Sequence, residues 1–272
     1  MADERERWAI ILGASSGMGE AAAVALAAAG YRICGIHLDF RAALPHVDEV
    51  KARIEAAGSE ALYINMNAAA DDKRAEALAA LAARFDRSRA DGRHPYVRVV
   101  LHSLAFGTLK PFIADDPREA ISRKNMEMTL DVMANSLVYW VQDLYRDGFL
   151  ESGSKIYAMT SEGTSKYAPS YGAVSAAKSA LDSNIRQLAM EFARLEAGIA
   201  ANSIRAGVTD TPALRRIPEA AEIVRRGLER NPHGRLTMTQ DVAAAIVHLS
   251  EGDSDWISGN IIGVDGGEFV TG

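Results

Sequence analysis

The stretch 8–24, WAIILGASSGMGEAAAV, changes character twice in a short span. Trp8 to Leu12 is an apolar run of strand length. A loop follows with glycines at Gly13, Gly17 and Gly19, and Glu20 to Ala29 is an alanine-rich segment that opens a helix. Strand, glycine turn and helix in that order predict a dinucleotide-binding unit. Gly13 can take a positive φ and turn the chain sharply off the strand. Gly17 has no Cβ, which lets the backbone approach a pyrophosphate, and Gly19 lets the helix pack close to the sheet. The N–H groups at the start of a helix, with its dipole behind them, favour an anion. Ser15 and Ser16 add hydroxyl donors, and Met18 lies in the same turn.

Around this unit the composition sets bounds. The 272 residues are 48% hydrophobic and 24% charged, enough for a large core within a single domain spanning 1–272. A net charge of −6 argues against sequence-independent binding of nucleic acid. The one cysteine, Cys34, falls in a predicted strand and cannot form an internal disulfide, so it reads as a core residue in a reducing compartment. The N-terminus, MADERERW, is charged, unlike a secretory signal. No apolar run reaches the roughly 18 residues of a membrane span. A soluble, cytoplasmic protein without a metal site is expected.

Strand-like and helix-like segments then alternate to the end. Strands are predicted at Tyr31–Leu38, Ala61–Asn65, Tyr96–Leu101, Lys155–Thr160, Ile199–Arg205 and Ile261–Val264. Helices are predicted at His46–Ala57, Asp71–Phe85, within 118–147, at Ser170–Glu196, over 212–230 and at Gln240–Glu251, with 86–95 a polar loop. Repeated β-α-β units with right-handed crossovers give an α/β fold: a Rossmann-type doubly wound parallel sheet of about seven strands with helices on both faces. Ligands bind such sheets at the carboxyl ends of the strands, near the switch point. Asp39, at the end of the second strand, can accept hydrogen bonds from ribose hydroxyls and would repel a 2′-phosphate, which favours NADH; Arg41 could instead meet the phosphate of NADPH.

The glycine spacing, G-x-x-x-G-x-G, resembles that of the short-chain dehydrogenase/reductase family. Most of that family carry Asn-Asn-Ala-Gly after the fourth strand, whereas His102-Ser103-Leu104-Ala105-Phe106 resembles the run in bacterial enoyl-acyl-carrier-protein reductases. The resemblance extends from the first strand to Val264-Asp265-Gly266-Gly267. It implies an NAD(P)H site that also uses Asn67, Ala68, Ser103, Leu104, Ala105, Thr160, Gly207, Val208 and Thr211. The Val208 backbone would face the nicotinamide carboxamide and Thr211 the phosphates. Relatives assemble as dimers of dimers, so a homotetramer is implied.

Tyr171 and Lys178 carry the expected chemistry. Seven residues make two helical turns, which puts both side chains on one face. The standard family places Tyr and Lys four apart, but four before Lys178 stands Val174, which has no acidic proton. The seven-residue separation is what the enoyl reductases use. The resemblance then implies hydride addition to the β-carbon of an enoyl thioester, with Tyr171 donating to the developing enolate oxygen and Lys178 holding the cofactor ribose.

Three departures stand out. Many enoyl reductases have a second aromatic ten residues before the helix tyrosine, and here that residue is Ser161; Tyr157 or Tyr167 could substitute for it. Ser161 also falls near the hydroxyl that carbonyl-reducing relatives use, so it joins Tyr171 and Lys178 as a catalytic candidate. The fourth-helix asparagine of the standard family reads here as Asp131. Residues 209–233 are expected to form a substrate flap whose arginines either meet an acyl carrier protein or are solvated helix charges. Two other functions remain open: a carbonyl-reducing dehydrogenase acting on a ketone or alcohol, and a nucleotide sensor without catalysis.

Overall fold

The computed structural model describes residues 5–271; the N-terminal residues 1–4, part of the charged segment read above, lie outside the described residues. In chain order the elements are β1 (Arg5–Leu12), α1 (Gly17–Ala28), β2 (Arg32–His37), α2 (Leu44–Ala56), β3 (Ala61–Asn65), α3 (Asp71–Ala90) and β4 (His94–His102). Then come α4 (Arg123–Leu130), α5 (Ser136–Arg146), β5 (Lys155–Thr160), α6 (Gly172–Arg194), β6 (Ala200–Ala206), α7 (Ala220–Arg230), α8 (Thr239–Glu251) and β7 (Ile261–Val264). The strands form one seven-stranded sheet in the order β3-β2-β1-β4-β5-β6-β7, every neighbouring pair parallel. The winding direction reverses between β1 and β4, the switch point at whose carboxyl ends sheets of this kind bind their ligands.

β1 is buried on both faces, as a central parallel strand must be. Trp8, Ile10 and Leu12 face a core shared with α3, α5 and α6. Ala9 and Ile11 face the opposite core, under α1, α2 and α8. The apolar stripe Leu181, Ile185, Leu188 and Phe192 of α6 lies in the first of these cores. Cys34 is buried, and burial pushes its thiol up to about 12. No helix among the described residues is long and apolar enough to cross a membrane.

Three segments differ from expectation. The polar loop 86–95 is mostly ordered: α3 continues to Ala90 and β4 begins at His94. The helix is drawn on by Ser88, which donates to the buried Glu6 carboxylate at 2.7 Å, and the strand by pairing of Arg5 with His94. The long fourth helix starts late, at Ser122, whose hydroxyl caps the Asn125 N–H, and a π turn at Asp131–Asn135 joins α4 to α5. Residues 103–122 are instead a long irregular segment crossing the strand ends. Finally, 212–230 is not one helix. Pro218 disfavours helical backbone at Ile217, which is extended with ψ 130°, and α7 starts only after the left-handed Glu219.

Candidate active site

The turn from β1 into α1 is shaped by its three glycines, though not all for the expected reason. Gly13 has φ +92°, and a Cβ there would stand 2.6 Å from the Ser103 carbonyl oxygen. Gly17 has φ +58°, so its own backbone also requires glycine. A Cβ on Gly19 would meet the Gly13 carbonyl oxygen at 1.9 Å: this glycine is demanded by the loop itself rather than by the sheet. Ser16, the N-cap residue, makes no side-chain bond to the first turn of α1. The leading N–H groups therefore have no side-chain cap, and Glu20 is turned away to His46 and Arg53. A glycine-lined cradle of open backbone donors is the environment a pyrophosphate fits. Thr211 faces it, its methyl 3.6 Å from where a Gly17 Cβ would lie, while its hydroxyl oxygen accepts the Leu214 N–H.

Tyr171 is the residue immediately before α6, and its ring edge lies where a Gly163 Cβ would be, at 2.8 Å. Burial pushes its phenol above the usual range, opposed by a hydrogen bond with Ser161. Lys178 is 6% exposed and donates to the carbonyls of Met159 (2.7 Å) and Leu104 (3.3 Å), at the ends of β5 and β4. Burial pulls its ammonium down to about 8, and the Asp182 carboxylate opposes the shift. Asp182 is itself held by Thr160 Oγ1 (3.0 Å) and Ser203 Oγ (2.7 Å). His102 is buried behind this group, its ring bonded to Ser136 at 2.9 Å; burial and the Lys178 charge push it down to about 3, so it is neutral.

Val174 is 4% exposed and packs where a Gly107 Cβ would sit, beside Met133 Sδ. The position that bears tyrosine in the standard family is thus sealed by the 103–122 segment. Of the two candidate second aromatics, Tyr157 is buried on the α8 side, near Ser250, and Tyr167 is 89% exposed. Ser161 is the group beside Tyr171. Asp131 does not face Tyr171 either; it senses Asp71 and Arg74 on the α3 side, and burial raises its carboxyl.

Several of the residues expected at the cofactor already have partners within the chain. The Val208 N–H donates to Glu268 Oε2 (3.0 Å), and its carbonyl, which has a second acceptor site, accepts the Thr237 N–H (3.1 Å). The Thr160 hydroxyl is turned to Asp182. Asn67 Oδ1 caps the Ala69 N–H, and the Ala68 carbonyl accepts Trp140 Nε1 at 2.8 Å, so this stretch is built as a turn. The Ser103 N–H continues the ladder to Leu12 O, and Leu104 contributes its carbonyl to Lys178; Ala105 is exposed. Gly207 is enclosed, a Cβ there standing 2.4 Å from Thr237 Oγ1.

Sequence reasoning missed Glu268, which is 1% exposed and also accepts from Arg230 (3.0 Å); Arg230 in turn reaches Glu162 (2.9 Å) beside Ser161. Nothing local in the sequence marks this tie between Glu268 and Arg230. Asp182 was findable, one turn after Lys178. Three other arginines of 209–233 are paired within the chain: Arg215 with Asp210, and Arg225 and Arg226 with Glu222. Gly227 lets α7 close on Val208, whose side chain lies 2.8 Å from where a Cβ would be.

A doubly wound parallel sheet with this glycine turn, and a tyrosine and buried lysine at its strand ends, is an NAD(P)-dependent oxidoreductase. The chain belongs to the short-chain dehydrogenase/reductase family: a family model described as "Enoyl-(Acyl carrier protein) reductase" matches residues 13–268. An NADH-dependent enoyl-[acyl-carrier-protein] reductase of Buchnera aphidicola is 29% identical over 63% of this chain and 64% of its own length. Versicolorin reductase 1 of Aspergillus parasiticus is 24% identical over 96% of this chain and 95% of its own. In fold, the chain resembles the crystal structure of the enoyl-[acyl-carrier-protein] reductase (NADH) of Aquifex aeolicus, with TM-score 0.81 and 23% identity over 99% of this chain and 98% of that one.

Proposed function

We propose that this protein reduces the carbon–carbon double bond of a trans-2-enoyl thioester, carried on coenzyme A or an acyl carrier protein, with NADH as the favoured reductant. The observation that carries the reading is the substitution of one tyrosine site for another: Val174 is sealed under Gly107, while Tyr171, seven residues before Lys178, holds a phenol beside Ser161. A bound reduced dinucleotide supplies the hydride. Gly13, Ser15, Ser16, Gly17, Met18 and Gly19 would hold its pyrophosphate, Thr211 would close over it and Asp39 would receive its ribose.

The chain's own part is to receive charge and to exclude alternatives. As the β-carbon of the thioester is reduced, negative charge builds on the thioester oxygen. Tyr171 donates a hydrogen bond to that oxygen, and a fixed donor in a water-poor site is worth far more there than in water. Lys178 keeps positive potential beneath the site, anchored by two carbonyls that prevent it from swinging out. Ser161 fixes the phenol's direction. Residues 209–233 form the substrate flap, with Leu214, Ile217, Ile223 and Val224 as its partly buried apolar face.

A second reading, reduction of a ketone, is favoured by one observation: the Ser161–Tyr171 hydroxyl pair suits a carbonyl oxygen as well as an enolate oxygen. The test is loss of reduced-dinucleotide absorbance with crotonyl-CoA against a panel of ketones. Consumption with the enoyl thioester supports the first reading; consumption with ketones alone replaces it with the second.

A further inference from the structure

The edge of the sheet at β2 and β3 holds an arrangement that no glycine or tyrosine motif announces. The two strands end in register, with His37 opposite Asn65. Asp39 follows two residues after β2, flanked by the exposed side chains of Leu38 and Phe40. A lone acid in such a loop would be free to rotate. Here it is clamped at both levels. Its N–H donates to Asn65 Oδ1 at 3.0 Å, and its carbonyl accepts Asn65 Nδ2 at 2.9 Å, so one side chain grips the backbone from both sides. Its carboxylate Oδ2 lies 2.9 Å from His37 Nδ1. A carboxylate can only accept, so Nδ1 carries the proton. His37 is 5% exposed and its ring rests 5.8 Å from that of Tyr63, which leaves it little freedom of its own.

We infer that His37 and Asn65 are specificity-determining positioning residues, which lock the Asp39 carboxylate where it accepts from a ribose diol and repels a 2′-phosphate. The inference rests on the reading of Asp39 as the ribose acceptor. One carboxylate oxygen is taken by His37, and the other is left for the ligand. A mobile acid could turn away from a phosphate and let Arg41 meet it; a clamped one cannot. Exclusion of the phosphorylated dinucleotide is then a property of three residues rather than of Asp39 alone.

The test is equilibrium binding, without acyl substrate, of NADH and of NADPH to the wild-type protein and to Asp39→Ala, His37→Phe and Asn65→Ala, by calorimetric titration. His37→Phe keeps a ring against Tyr63 and removes the donor; Asn65 is exposed, so Asn65→Ala remains a folded probe should His37→Phe fail. The wild type is expected to prefer NADH. Asp39→Ala should reduce the NADH:NADPH affinity ratio by ~10-fold or more, and each clamp variant by ~3- to 10-fold, the worth of one ordinary net hydrogen bond. A merely structural role would weaken both dinucleotides alike and leave the ratio unmoved. If Asp39→Ala shifts the ratio while both clamp variants leave it unchanged, the inference is overturned and the Asp39 reading stands. If Asp39→Ala leaves the ratio unchanged, or the wild type prefers NADPH, both fall. Failure of the wild type to bind either dinucleotide overturns the proposed function as well.

Discussion

Lys178→Met should change the pH dependence of stability in a calculable way. Lys178 sits in the folded protein as an ammonium whose pKa burial has lowered from 10.5 to about 8. One pKa unit is about 1.4 kcal/mol, so carrying this charge inside costs the fold about 3 kcal/mol wherever both states are protonated. The sign follows from proton counts. Below about pH 8 folded and unfolded chains both hold the proton and the full cost is present; between about 8 and 10.5 the unfolded chain holds more protons, so stability rises with pH and the cost fades. Methionine has no charge to bury. It also loses the bonds to Met159 and Leu104, each worth about 1 kcal/mol net, but that loss depends little on pH. The stability of Lys178→Met relative to wild type should therefore fall by about 2–3 kcal/mol between about pH 7 and about pH 10. Urea unfolding at several pH values, followed by fluorescence of the buried Trp8 and Trp140, measures it. A gap between variant and wild type that stays constant over this range would refute the depressed lysine.

Other substitutions probe the remaining parts. Tyr171→Phe should lower kcat with an enoyl thioester by ~10²-fold or more while leaving dinucleotide affinity nearly unchanged; turnover within about threefold of wild type removes the phenol from the chemistry. Gly19→Ala, whose methyl would collide with the Gly13 carbonyl, should distort the β1–α1 turn and abolish dinucleotide binding in a titration. Retained binding would mean that the turn has slack not evident in its geometry. Glu268→Ala strips partners from the Val208 N–H and from Arg230, and should destabilise by about 2–3 kcal/mol in denaturant, with Glu268→Gln losing less. Equal losses would show that the charge, rather than the shape of the side chain, does the holding.

The parallel sheet was legible because it rests on local signals: an apolar run with glycines after it, then regularly alternating segments. Ala61–Asn65, Lys155–Thr160 and Ile261–Val264 read true to the residue. Elements set by distant partners were harder. α3 reaches Ala90 because Ser88 meets Glu6 on another strand, and nothing within 86–95 states that contact. In the candidate site, the Tyr171–Lys178 spacing could be read along one helix. The pairing of Val208 with Glu268, and of Asp39 with Asn65, joins residues far apart in sequence and appears only when strand ends converge. The hydrogen bonds that the Val208 N–H and the Ala68 carbonyl make within the chain likewise depend on partners remote in sequence.

The most direct measurement of enoyl reduction is the fate of a label. Wild-type protein, crotonyl-CoA and NADH deuterated at the transferred position of the nicotinamide would be combined, and the product examined by mass spectrometry and NMR. Reduction of the carbon–carbon bond predicts a butyryl thioester with one deuterium on its β-carbon. An unchanged crotonyl thioester, with deuterium appearing instead on the carbinol carbon of a ketone supplied beside it, would contradict the assignment and identify the protein as a carbonyl reductase.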